Sequence, residues 1–167
     1  AFKSREIDGE PSADFCVQDG SIISFTWDFD FFPLTEWSWV ETLNITRLSI
    51  RCLSNGHLPE LPRFLRELNC NQCELINLDL TAMPGLRKLE SWKNQLTKLD
   101  LSAVPGLTKR SCGDNQLTKI DLSAMQGLTI LFCGNNQLSD LDLTPVPWLT
   151  QLDCSENQLS DLDLSAV

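Results

Sequence analysis

The chain has 167 residues, carries a net charge of −10 at neutral pH and is 42% hydrophobic, the size and make-up of one globular or repeat domain. That excess of acid argues against a nucleic-acid partner, because binding phosphate requires a basic face that releases counterions. No run of about 18 apolar residues is present to span a bilayer, and the opening AFKSREIDGE has no apolar signal core. No membrane insertion is expected, and the missing initiating Met leaves room for a trimmed signal.

The charge is uneven. Residues 1–44 set Lys3 and Arg5 against Glu6, Asp8, Glu10, Asp14, Asp19, Asp28, Asp30, Glu36 and Glu41, whereas Lys88, Lys93, Lys98, Lys109, Arg110 and Lys119 gather in the middle. Residues 1–20 are polar and aperiodic and read as an extended or loop lead-in. From Ile23 the pattern changes: Ile23, Phe25, Trp27, Phe29 and Phe31 alternate with Ser24, Thr26, Asp28 and Asp30, which makes a half-buried strand with one apolar face. That strand suits a cap over the open end of a solenoid; the other use of its aromatics is a sticky binding face. After Pro33, the segment LTEWSWVETL reads as a short helix or irregular link carrying Trp37, Val40 and Leu43.

The rest of the chain repeats itself. Regular units occupy 65–85, 86–106, 107–127, 128–148 and 149–167, each 21 residues long except the last, which stops at Val167. They are preceded by a degenerate unit, 45–64, whose later part carries LPELP. A constant step of this length is the mark of a stacked-repeat protein, with atypical units at its ends. Within each unit, apolar residues fall mostly at steps 1, 4, 6, 11, 14, 16 and 19. Steps 4 and 6 flank an outward residue, which is strand spacing, and steps 14 and 16 flank an Asp in the same way. Each unit is therefore a strand, a turn and a second extended segment, closed by a Ser or Thr, Pro and Gly turn.

Three ladders run through the units. Step 6 gives Cys70, Ser91, Cys112, Cys133 and Cys154, read as reduced, buried thiols whose parallel vectors do not suit disulfides. Step 9 gives Cys73, Asn94, Asn115, Asn136 and Asn157, where an amide can satisfy backbone groups inside a bend. Step 15 gives Asp79, Asp100, Asp121, Asp142 and Asp163, read as solvated or capping nearby amides. The metal-binding alternatives are zinc at Cys70, Cys73, Cys52 and His57, and calcium at Asp140, Asp142, Asp161 and Asp163; the reading is no metal and no cofactor.

The frame L-x-x-L-x-C-x-x-N-Q-L-x-x-L-D-L-S over residues 45–167 resembles bacterial leucine-rich repeats, and is most similar to the 21-residue, cysteine-ladder type of internalin J. The LPELP of the first unit instead resembles the LPxLP repeats of secreted bacterial effectors. The resemblance implies an α/β-type repeat that is mostly β. The fold so implied is a right-handed leucine-rich repeat solenoid with parallel strands on the concave face, extended or turn segments on the convex face, and an N-terminal cap (1–44) containing a β-strand. It also implies a bacterial secreted or cell-surface protein, virulence-related and in host or cell-surface contact, that binds another protein.

Departures from the frame mark the candidate site. Steps 3, 5, 7 and 8 project from the strand face, and there Trp92, Phe132, Ile130, Lys88, Glu90 and Lys109 form a patch with small Gly113 and Gly134 between them. Aromatic anchors in a polar rim are the make-up of binding hot spots. Arg110 joins them as an anomaly: it stands at step 4, where Leu68, Leu89, Leu131 and Leu152 fill the core, so it must snorkel out or meet an acid. Catalysis is not expected, since His57 is the single histidine and no Walker loop, dinucleotide fingerprint or HExxH helix is present. The alternatives are the recognition arm of an effector enzyme whose catalytic part lies outside this chain, or a structural spacer. The uncovered apolar layer at Val167 predicts a longer native chain or end-to-end self-association.

Overall fold

The computed structural model describes residues 14–18, 21–28, 44–51, 56–58 and 60–167. Its strands form a single sheet of eight: β1 (Asp14–Gln18), β2 (Ser21–Asp28), β3 (Arg47–Arg51), β4 (Glu67–Asn69), β5 (Lys88–Glu90), β6 (Lys109–Ser111), β7 (Ile130–Phe132) and β8 (Gln151–Asp153), in that spatial order. β1 and β2 are antiparallel and every later pair is parallel. The repeat fixes the register. Leu68 stands opposite Leu89, Leu89 opposite Arg110, Arg110 opposite Leu131 and Leu131 opposite Leu152, so each step-4 residue stacks on its counterpart one coil away.

Short strands follow from the burial alternation. In β4, β5, β6 and β7 the central residue is buried while its two neighbours face outward, so three residues exhaust the strand before the chain turns into the next coil. The remaining inward steps fill one continuous core. Leu86, Leu96, Val104, Leu107, Leu117, Met125, Leu128, Leu138 and Val146 are all fully buried, and each such side chain contributes roughly 1.5–3 kcal/mol of apolar transfer. In the last coil the layer opens: Leu152, Cys154, Leu159 and Leu162 are only partly buried and Leu164 is 54% exposed.

Opposite the strands, the second segment keeps the expected burial alternation but pairs with no other strand. It runs instead into paired turns, with the amide of Met83 donating to Leu80 O at 3.0 Å and that of Leu86 to Met83 O at 3.0 Å; Val104, Leu107, Met125, Leu128, Val146 and Leu149 repeat the arrangement. No helix is present among the described residues, so the repeat is β with turns on its back and the α part of the expectation is absent there.

Among the described residues the cap contains the expected strand over Ser21–Asp28, beginning two residues before Ile23, and it joins the solenoid by pairing parallel to β3. Phe29 and Phe31 lie outside the described residues, as does the expected helix or link over Trp37, Val40 and Leu43. Of the extended or loop lead-in, Asp14–Gln18 takes the extended form: it is a strand, because β2 offers it an antiparallel ladder, with a bulge between Cys16 and Val17.

Candidate functional site

The face that carries the candidate residues is held from behind by the Asn ladder. Asn94 Oδ1 accepts the amides of Cys73 (3.1 Å) and Leu75 (3.0 Å), while its Nδ2 donates to Cys70 O (2.9 Å) and Ser91 O (3.0 Å). Asn115, Asn136 and Asn157 repeat the pattern, each joining the carbonyls of its own and the preceding coil to the amide two residues past the preceding coil's step 9. One amide thus locks two coils in register. The residue before each ladder position is left-handed: Gln72, Lys93, Asp114, Asn135 and Glu156 have φ of 50–57°. That sharp bend aims step 7 and step 8 side chains across the strand face.

Bending creates a cleft of about 550 Å³ lined by Trp92, Phe132, Glu90, Ser111, Gly113, Gly134, Asp114, Asp153 and Glu156, with Asn71, Asn135 and Ser155 completing it. Gly113 keeps this space open: a Cβ on it would stand 3.1 Å from Gly134 O and from Trp92 Cδ1, close enough that the indole or the neighbouring backbone would have to give by a few tenths of an ångström. Trp92 is fixed further by its amide, which donates to Asn71 Oδ1 at 2.7 Å, and by Lys93 Nζ, 4.3 Å from the ring centroid. Phe132 is 40% exposed.

Beside the cleft, Lys88, Lys109, Ile130, Glu90, Phe132 and Ser111, together with the buried Leu89 and Arg110, line a second hollow of about 220 Å³. Lys88 Nζ pairs with Glu90 Oε1 at 2.5 Å and Asn69 Nδ2 donates to Glu90 Oε2 at 2.8 Å. Six of the candidate residues, Trp92, Phe132, Ile130, Lys88, Glu90 and Lys109, therefore form one surface. Arg110 borders the second hollow but is itself buried. Its side chain is 1% exposed, stacked between Leu89 and Leu131, and its three guanidinium nitrogens are buried with no hydrogen-bond partner. It neither snorkels nor finds an acid, because the register aims step 4 at the core and no buried carboxylate is found among the described residues. Sequence reasoning missed Asp114, Asn135 and Glu156. Their signal is step 8, which varies freely and faces the same cleft.

The thiols of the cysteine ladder stand away from this surface. Cys70, Cys112 and Cys133 are buried and Cys154 partly so, with no disulfide among them. Burial, reinforced by neighbouring Cys73, pushes the Cys70 thiol well up, with Arg110 pulling weakly the other way, and burial does the same to Cys133 and Cys154. Such thiols hold little thiolate at neutral pH. Among the described residues, no three His, Cys, Asp or Glu side chains are grouped to hold a metal ion; Cys52 lies outside them.

The Asp ladder makes turns. Asp79, Asp100, Asp121, Asp142 and Asp163 each accept, through Oδ1, the amide of the residue two further on at 2.8–2.9 Å. The amides of Thr81, Ser123 and Ser165, followed by their hydroxyls, hold Asp79, Asp121 and Asp163 below the usual carboxylate range; the hydroxyls of Ser102 and Thr144, followed by their amides, do so for Asp100 and Asp142. Carboxylates depressed in the folded state bind fewer protons than in the unfolded chain. Their contribution is fully present above the unfolded value of about 3.9 and is lost as pH falls through the lower folded values. The urea midpoint is thus expected to hold between about pH 7 and pH 5 and to fall below about pH 4. Asp100→Asn, which still accepts the Ser102 amide but cannot titrate, should shrink that fall; an unchanged acid limb would refute the assignment.

No protein-family model matches the sequence, and no curated protein matches it either. Solved structures do. The functional domain of InlJ from Listeria monocytogenes, which includes a cysteine ladder, is similar at a TM-score of 0.65 and 34% identity, over 73% of this chain and 28% of that one. A leucine-rich repeat protein of Leptospira interrogans matches at 0.63 and 22% identity over 72% and 33%. The internalin InlF of Listeria monocytogenes matches at 0.62 and 22% over 77% and 39%. The chain spans between about a quarter and two fifths of these neighbours' length. The two matches near one-fifth identity show the fold alone; InlJ shares the ladder as well. The parallel-strand β-solenoid, with its 21-residue step and a thiol at step 6 of four of the five regular coils, has the leucine-rich repeat fold and is similar to bacterial proteins of the cysteine-ladder type.

Proposed function

We propose that the chain is a non-catalytic protein-binding module that uses its strand face, in a bacterial secreted or cell-surface protein. Leucine-rich repeat neighbours suggest a protein-interaction module, and the likeness to InlJ supports the surface setting. The observation that carries the reading is the meeting of Trp92 and Phe132 in one cleft over Gly113 and Gly134, on a surface whose frame requires neither aromatic. A face locked by the Asn ladder loses little ordering entropy on association.

Peptides selected from a random display library on the immobilised protein test it. Trp92→Ala and Phe132→Ala, with unfolding midpoints checked against wild type, are each expected to weaken binding by about 30-fold, the scale of an aromatic hot spot of about 2 kcal/mol. Peptides that bind both variants as tightly as wild type would refute the reading.

A further inference from the structure

We propose that the cleft receives an arginine side chain from the partner, seated against Trp92 and Phe132 and paired with Asp114, Asp153 and Glu156. The inference rests on the strand face being a protein-binding surface, and it adds the chemistry of what is bound. Four carboxylates line the cleft, those of Glu90, Asp114, Asp153 and Glu156, and no Lys, Arg or His is among its lining residues. Arg47 pairs with Glu67 and Lys88 with Glu90, and neither pair takes Asp114, Asp153 or Glu156. Lys88 therefore neutralises Glu90, and the other three carboxylates face the cleft without a cation.

Their oxygens remain available. Asp153 Oδ1 accepts the Ser155 amide at 3.0 Å and hydroxyl at 2.6 Å, and Asp114 Oδ1 accepts the Asn135 side-chain amide, so each aspartate keeps Oδ2 for a partner. Those bonds from Ser155 also hold Asp153 below the usual carboxylate range, as an anion. Trp92 already accepts a cation, Lys93, whose side chain is not part of the lining. The ring surface that lines the cleft is left to the partner.

Charge complementarity with an aromatic wall selects among cations. A metal ion needs convergent oxygen ligands, and the described residues offer no such group of three. An ammonium is a compact, strongly hydrated charge, whereas a guanidinium stacks flat on aromatic rings and bonds carboxylates two at a time. The cleft is open and, at about 550 Å³, has room for the residues flanking that side chain.

The indole N–H resonance of Trp92, identified by its loss in Trp92→Phe, reports the test directly. Acetyl-Gly-Arg-Gly-Arg-Gly-amide is expected to shift it saturably, the glutamine counterpart to leave it in place, and the lysine counterpart to bind more weakly. Asp114→Asn with Asp153→Asn, isosteric changes that keep both Oδ1 bonds, should weaken the arginine peptide about tenfold or more, as should raising salt from about 20 mM to about 300 mM. The proposal is overturned if the glutamine peptide binds as well, if the arginine peptide leaves Trp92 unmoved, or if the double variant binds it with wild-type affinity. Library peptides that need Trp92 and Phe132 but carry no arginine and ignore the double substitution overturn the arginine while sparing the binding face. Peptides that ignore all four substitutions overturn both.

Discussion

Arg110→Leu is expected to stabilise the protein by about 2–4 kcal/mol, read as a higher urea midpoint. Arginine keeps its charge in any protein interior. Here the guanidinium is withdrawn from water with no hydrogen bond to its three nitrogens, so the desolvation penalty of several kcal/mol stands without a compensating pair. Leucine restores the stack of Leu68, Leu89, Leu131 and Leu152 at a position where the register already aims the side chain inward. Arg110→Lys supplies the control. A buried lysine sheds its proton, so its folded pKa lies below the unfolded value and the unfolded chain binds more protons. Stability of that variant should rise from neutral pH towards about 10, a rise that Arg110 itself cannot give. Arg110→Leu should leave binding at the Trp92 cleft unchanged, since Arg110 borders the second hollow and not that cleft. A lower midpoint for Arg110→Leu than for wild type would sink the argument.

The period made the solenoid legible because one inward step in a stacked repeat stays inward in every coil. Leu86, Leu107 and Leu128 are all fully buried for that single reason, and the strand positions follow from steps 4 and 6. What the period could not supply is anything specified once. β1 is such a case: among the described residues it pairs only with β2, and its one sequence signal is the Asp19-Gly20 dipeptide between two short runs, of a kind favoured in hairpins. Arg110 is another, since its chemistry argues for the surface and its register for the core, and the register wins. At the cleft, Trp92 and Phe132 stand out as departures from the frame, whereas Asp114 and Glu156 are ordinary surface acids until the left-handed residue at step 8 is seen to turn them over the same floor. The back of each coil reads as extended from its alternation, but alternation reports only which side chains are buried. Without a neighbour in hydrogen-bonding reach, the backbone there closes its bonds locally in turns.

Asn136→Ala is expected to destabilise the fold by about 3 kcal/mol, because its side chain serves a buried backbone amide that nothing else serves. The Leu117 amide donates to Asn136 Oδ1 at 2.9 Å and has no second acceptor. A buried donor left unpaired costs about 1–3 kcal/mol. The carbonyls that Asn136 Nδ2 bonds lose less, because each keeps another donor: Asn115 Nδ2 for Cys112 O, Asn157 Nδ2 for Cys133 O and the Asp114 amide for Gly134 O. Their losses together add about 1 kcal/mol, the scale of one net hydrogen bond. The chain contains its own comparison at Cys73, which holds the same step; its thiol reaches the carbonyls of Ile50 at 3.4 Å and Asn71 at 3.3 Å. A thiol can donate weakly but accepts an amide poorly, so Asn136→Cys should fall between alanine and wild type. The Leu117 and Cys112 losses fall at the junction of two coils, and repeat proteins owe their cooperativity to such nearest-neighbour interfaces. The alanine variant should therefore show a broadened transition as well as a lower midpoint, with the coil beginning at Leu128 separating from the one beginning at Leu107. A midpoint within about 0.5 kcal/mol of wild type would mean that the Asn ladder does not hold the coils in register.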